Sequence, residues 1–164
     1  MATISMASTG TGHGQRTNKR TPYLVEWYID LADAVTAKGS ALAQGDVIEA
    51  IKVPAGTQVL FAGLQVIEEM EGSSTDATID MGITGGDVDA FVDGFDLDGA
   101  AAGAFASPAT ASITPATFVT TADTIDLLIA TQTNTITGGV LRVFASLLDC
   151  SYQYDRPAIA QLGS

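Results

Sequence analysis

A single cysteine, Cys150, and a single histidine, His13, stand in a chain of 164 residues. One cysteine excludes an internal disulfide and a cysteine metal cage. At the end of an apolar stretch, Cys150 reads as a buried or half-buried thiol rather than a nucleophile. One histidine excludes any multi-histidine zinc site, and its place in the N-terminal arm argues against a Ser-His-Asp relay. His13 also lies in a Gly/Thr-rich N-terminal stretch that offers no fixed scaffold. Basic residues are scarce as well: seven Lys and Arg face nineteen Asp and Glu, for a formal charge of −12. A field of that sign repels nucleic acid, whose binding depends on neutralising phosphates. It favours basic partners or cations. No apolar run is long enough for a membrane helix. The first residues, MATISMASTG, lack the apolar core of a signal peptide, so the expectation is a protein made and used without export.

What is present is 46% hydrophobic residues, with only 16% charged. That suits one folded domain whose solubility rests on Thr, Ser, Gly and Asp. Residues 1–21 read as an extended N-terminal arm, and its bases Arg16, Lys19 and Arg20 crowd into five positions. The glycines at 10, 12 and 14 lack the following Lys-Ser/Thr of a phosphate loop and any preceding strand. Residues 22–150 read as the folded domain and 151–164 as a C-terminal tail.

Within the domain, YLVEWYID (23–30) reads as a strand from its aromatic and β-branched residues, with a helix over 23–35 as the rival. TAKGSALAQG (36–45) reads as a connection. DVIEAIKV (46–53) alternates, with Val47, Glu49, Ile51 and Val53 on one side. TQVLFAGLQVIEEME (57–71) begins as a strand in which Gly63 suggests a bulge or a change of sheet. ATIDMGIT (77–84) places Ile79, Met81 and Ile83 on one face. DTIDLLIAT (123–131) does the same with Ile125, Leu127 and Ile129, and the two resemble equivalent strands. VLRVFASLLDC (140–150) is a long apolar strand. AAAGAFASPATASITPAT (100–117) reads as a long loop with brief extended pieces. Some eight to ten short strands, Gly/Pro/Asp turns and no long amphipathic helix predict an all-β fold. The expected form is an antiparallel β-sandwich, with a jelly roll as a natural member of that class.

GGDVDAFVDGFDLDG (85–99) concentrates Asp87, Asp89, Asp93, Asp96 and Asp98. Calcium needs several converging oxygens. Setting Gly99 at the sixth position of an EF-hand loop puts Gly94 first and Phe105 twelfth, where carboxylates are required. Setting Gly94 there puts Phe91 third. The calcium nonapeptide needs a glycine where Val88 stands. A calcium site outside these templates is the residual metal reading of the five aspartates. Glycoside hydrolysis by paired carboxylates is weaker, since no sugar platform stands beside them. The alternation of Phe91, Phe95 and Leu97 with the acids predicts a solvated loop pinned by apolar anchors, to the domain or to a neighbouring subunit. No cofactor and no catalytic residue is indicated.

GDVIEAIKVPAGTQVLFAGLQV (45–66), TIDMGITGGDVDAFVDG (78–94), TADTIDLLIAT (121–131) and GGVLRVFASLLD (138–149) resemble structural proteins of tailed bacteriophage virions. The nearest likeness is to head decoration, or cement, proteins of β jelly-roll type. The resemblance implies a protein that is no enzyme and that binds the major capsid protein on the outside of an icosahedral shell. It implies a homotrimer at three-fold and quasi-three-fold sites, localisation on the virion exterior after assembly in the host cytoplasm, and neither nucleic acid nor membrane as partner. The arm bases Arg16, Lys19 and Arg20 are then candidates for capsid contact, and strands such as 140–149 for trimer contact. An alternative is a receptor- or carbohydrate-binding head or tail fibre domain, motivated by Tyr23, Trp27, Tyr28, Tyr152 and Tyr154 as sugar-stacking groups.

Overall fold

A computed structural model of the chain describes residues 2–5, 21–83, 85–107 and 117–151. Among them stand ten strands and one helix: β1 (Thr3–Ser5), β2 (Tyr23–Asp30), α1 (Leu31–Lys38), β3 (Val47–Val53), β4 (Thr57–Gly72), β5 (Thr78–Ile83), β6 (Val92–Asp96), β7 (Phe105–Ala106), β8 (Thr117–Val119), β9 (Asp123–Thr131) and β10 (Ile136–Asp149). They form two sheets. The first runs β1-β3-β9-β5-β6, and the second β2-β10-β4-β7 with β8 also on β4. All pairings are antiparallel except β1 on β3. The expected all-β sandwich is what the chain forms.

The core lies between the inward faces. β5 gives Ile79, Met81 and Ile83, and β9 gives Ile125, Leu127 and Ile129, all buried. The two strands, alike in sequence, lie side by side, pairing Ile79 with Ile129, Met81 with Leu127 and Ile83 with Ile125. From the second sheet come Leu64, Val66, Leu141, Val143, Ala145 and Leu147. Burying each large aliphatic side chain stabilises the fold by about 1.5–3 kcal/mol.

Three local expectations change. The strand and helix signals near residue 30 are both real, in succession. The aromatic and β-branched run is β2. Asp30 then caps α1 by accepting from Ala32 N at 2.8 Å, and Gly39, at φ 78°, closes it. Leu31 and Ala34 point into the core. The clean alternation expected for 46–53 is broken by a register shift between Glu49 and Ile51. One extra residue turns the strand over, so Ile48 and Ala50 as well as Ile51 and Val53 are buried. Gly63 marks neither a bulge nor a change of sheet. It pairs in regular register with Phe144. A Cβ there would lie 2.6 Å from the Ala106 carbonyl oxygen and 2.7 Å from the Phe144 ring. The glycine is required by the close approach of β7 and an aromatic ring.

The start of the expected arm also belongs to the sheet. Thr3–Ser5 forms β1, with Ile4 buried. Val47 N donates to Ala2 O at 3.0 Å and Ala2 N donates to Asp46 Oδ1 at 3.0 Å. Residues 6–20, including Arg16, Lys19 and Arg20, lie outside the described residues, as do residues 152–164.

Candidate functional site

Among the described residues, the outer face of the second sheet carries the largest group of exposed apolar side chains. Along β10 the residues alternate, so Leu141, Val143, Ala145 and Leu147 face the core while Arg142, Phe144 and Ser146 face out. The register sets Leu24 of β2 and Phe61 of β4 on either side of Ser146. It sets Glu26 and Gly63 beside Phe144, and Tyr28 and Gln65 beside Arg142. Because Gly63 has no side chain, the Phe144 ring settles over β4. Phe105 of β7 stacks on it, with centroids 5.4 Å apart and planes 8° apart. Phe61 meets it edge-on at 6.4 Å.

This cluster hides Phe144 but leaves its partners in solvent. Leu24 is 63% exposed, Phe105 57% and Phe61 43%. Phe118 of β8 and Tyr28 are exposed as well. The face carries one opposed pair of charges. Arg142 lies 5.7 Å from the Phe144 centroid and 3.8 Å from Glu26. Such half-exposed contacts add about 1 kcal/mol or less. A contiguous, nearly uncharged aromatic face on a chain of net charge −12 has the character of an interaction surface.

The acidic segment is built differently from the solvated loop expected. Its residues 92–96 form β6, the edge of the first sheet. Phe91 N donates to Met81 O at 2.9 Å and Ile83 N to Asp87 O at 2.8 Å, folding the turn back on β5. Phe91 and Leu97 are buried in the chain's own core, and Phe95 is partly buried against it. Phe91, Val92 and Phe95 line a shallow cleft with Asp93 and with Phe105 across from β7.

The aspartates serve local backbone. Asp98 Oδ1 accepts from Ala77 N at 2.6 Å, and Asp96 Oδ1 accepts from Gly99 N at 3.0 Å. Asp80 Oδ1 accepts from Gly94 N at 2.8 Å. Asp89 shares a hydrogen bond with Asp87, which pushes its carboxyl above the ordinary carboxylate value; slight burial and the Asp87 and Asp93 charges act in the same direction. Among the described residues, no three His, Cys, Asp or Glu side chains converge as a metal-binding group, and no helix is long and apolar enough to cross a membrane. Cys150 follows β10 and is half-buried, its N–H donating to Gly56 O at 2.8 Å.

A second polar feature has no counterpart in the sequence reading. Asp46, 2% exposed, ties three segments together. Its Oδ2 accepts from Lys38 Nζ and from Ala43 N, and its Oδ1 from Ala2 N. Burial raises the Asp46 carboxyl, but the Lys38 hydrogen bond and the Ala43 and Ala2 N–H groups outweigh it and hold the pKa below its ordinary value. Nothing in the spacing of Ala2, Lys38 and Asp46 announces this junction. The aromatic cluster was equally hidden, since Phe61, Phe105 and Phe144 come from three separate stretches.

No protein-family model matches the chain, and no curated protein matches it. Solved structures do. A chain of a structure described as the capsid of Ralstonia phage GP4 is similar over 90% of this chain and 99% of its own length, at 18% identity and a TM-score of 0.58. A chain of the cyanophage Pam1 capsid asymmetric unit is similar over 87% of this chain and 91% of its own, at 16% identity and a TM-score of 0.53. At these identities the likeness is one of fold, and it extends over nearly the whole sandwich.

Proposed function

We propose that this chain is a structural, non-enzymatic component of a phage particle that binds the outer surface of the icosahedral capsid and reinforces it. The observation that carries the reading is the exposed aromatic face of the second sheet, on a domain whose fold is shared with chains of phage capsid structures. In this reading the face around Leu24, Phe61, Phe105 and Phe144 buries against two further copies, giving a trimer at three-fold and quasi-three-fold sites. The basic stretch with Arg16, Lys19 and Arg20 reaches the major capsid protein. Multivalent attachment raises avidity without a large single interface. The strong negative charge of the domain keeps free copies apart until the uncharged face is matched.

The carbohydrate-binding alternative has less support. Trp27 and Tyr28 are adjacent on β2 and therefore project to opposite sides of the strand. Tyr23 is partly buried against the core. These three do not make one stacking platform.

The test is rebinding of purified protein to capsids that lack it, alongside its mass by light scattering. The reading expects a trimer that binds and raises the temperature at which capsids rupture. Phe61→Ser removes the edge contact with Phe144 and should cost about 1–2 kcal/mol of folding stability, leaving the domain folded while weakening the trimer. A monomer with no affinity for capsids would overturn the proposal.

A further inference from the structure

We propose that the β1 position on β3 is a strand-acceptor site, filled in the assembled protein by Thr3–Ser5 of a second copy, so that neighbouring copies are linked by exchanged strands. This rests on the self-association proposed above.

The carboxylate of the acceptor is positioned by groups outside the strand. Asp46 is fixed from within the body of the fold by Lys38 Nζ and Ala43 N on Oδ2, and Lys38 is itself held by Ala41 O at 2.8 Å. That leaves Oδ1 aimed at the incoming chain, where Ala2 N donates to it at 3.0 Å. Val47 N, on the open edge of β3, donates to Ala2 O at 3.0 Å. Ile4 fills an apolar socket and is 4% exposed. Buried carboxylate, edge N–H and socket together recognise a short extended segment with an apolar side chain at its centre, the chemistry of strand addition.

The strand that fills the site is nearly independent of its own chain. It pairs with β3 alone, and in parallel, so no tight turn connects it. The next strand, β2, belongs to the other sheet. Residues 6–22 lie between them, a stretch that fully extended spans up to about 55 Å. A domain of this size has a radius of gyration of about 15 Å. The same strand therefore reaches the same site on an adjacent copy, where it makes identical contacts. The choice between own and neighbouring site is then one of tether entropy against local concentration, and packing copies together favours exchange.

Two differently tagged chains test this. One lacks residues 2–5 and keeps the acceptor. The other carries Asp46→Ala and keeps the strand, with Asp46→Asn as the substitute should the alanine variant not fold. Exchange predicts that, when the two are refolded together, they co-purify and the melting midpoint of the deleted chain rises by several degrees toward the wild-type value. Co-purification with both chains melting as they do alone overturns the exchange and leaves self-association standing. Absence of co-purification, with a monomeric wild-type mass, overturns both.

Discussion

Asp46 and Asp89 are the same residue type on opposite margins of one sheet, and their surroundings move them in opposite directions. At the β1 margin the carboxylate is buried and fully supplied with donors: an ammonium and two backbone N–H groups. At the β6 margin the carboxyl is exposed and shares a hydrogen bond with another acid, Asp87. The first margin is sealed by α1 and β1. The second is open, edged with aspartates that cap turns while Phe91 and Leu97 do the anchoring. Stability at one margin comes from a buried ion pair, and at the other from apolar side chains beneath a charged surface.

The largest expected effect falls on the apolar side of that contrast. Phe91→Ser removes a buried ring from under the acidic turn and should cost about 4 kcal/mol in urea unfolding, by analogy with other large-to-small core changes. If the loss were under about 1 kcal/mol, the anchoring role would fail. Next comes Asp46→Ala, which strands Lys38 and two backbone donors. Removing one partner of such a pair should cost about 3 kcal/mol, read as a lower denaturation midpoint at neutral pH.

The smallest effects lie in the pH profile and carry opposite signs. Asp46 has a depressed folded pKa, so its contribution is present above the unfolded carboxylate pKa and is lost as pH falls through the folded value. Asp46→Asn should therefore flatten the acid-side decline in stability. Asp89 has a raised folded pKa, so the folded state holds its proton more tightly and loses that advantage as pH rises through it. Asp89→Asn should steepen the decline on acidification, slightly, because the group is exposed and screened. Thermal midpoints across the acidic range, measured side by side, would show whether the two variants diverge. Matching slopes would mean that the two environments do not differ as described.

Much of the sandwich was legible because its strands carry period-two patterns. Ile79, Met81 and Ile83, and Ile125, Leu127 and Ile129, alternate with polar residues and all end in the core. Sequence and structure part where a local pattern is interrupted. One extra residue near Ala50 turns β3 over without changing composition, and α1 follows directly on β2, whose residues also carry some helical spacing. Gly63 stands out locally as a glycine within a strand, yet what requires it is Phe144 and Ala106, which are remote in sequence. The acidic segment reads as a solvated loop, yet its residues 92–96 form β6. Its pairing with β5 is a property of two segments together.

Composition and periodicity by themselves determined the fold class, the apolar faces of the strands and the strong negative charge. These follow from properties each residue carries with it: hydrophobicity, β propensity and charge. Only the tertiary structure decided that β5 and β9 are neighbours, that Ala2, Lys38 and Asp46 meet, and that Phe61, Phe105 and Phe144 form one exposed face. Those facts depend on which strands lie side by side and in which register. Register is a relation between distant segments, set when the whole core closes.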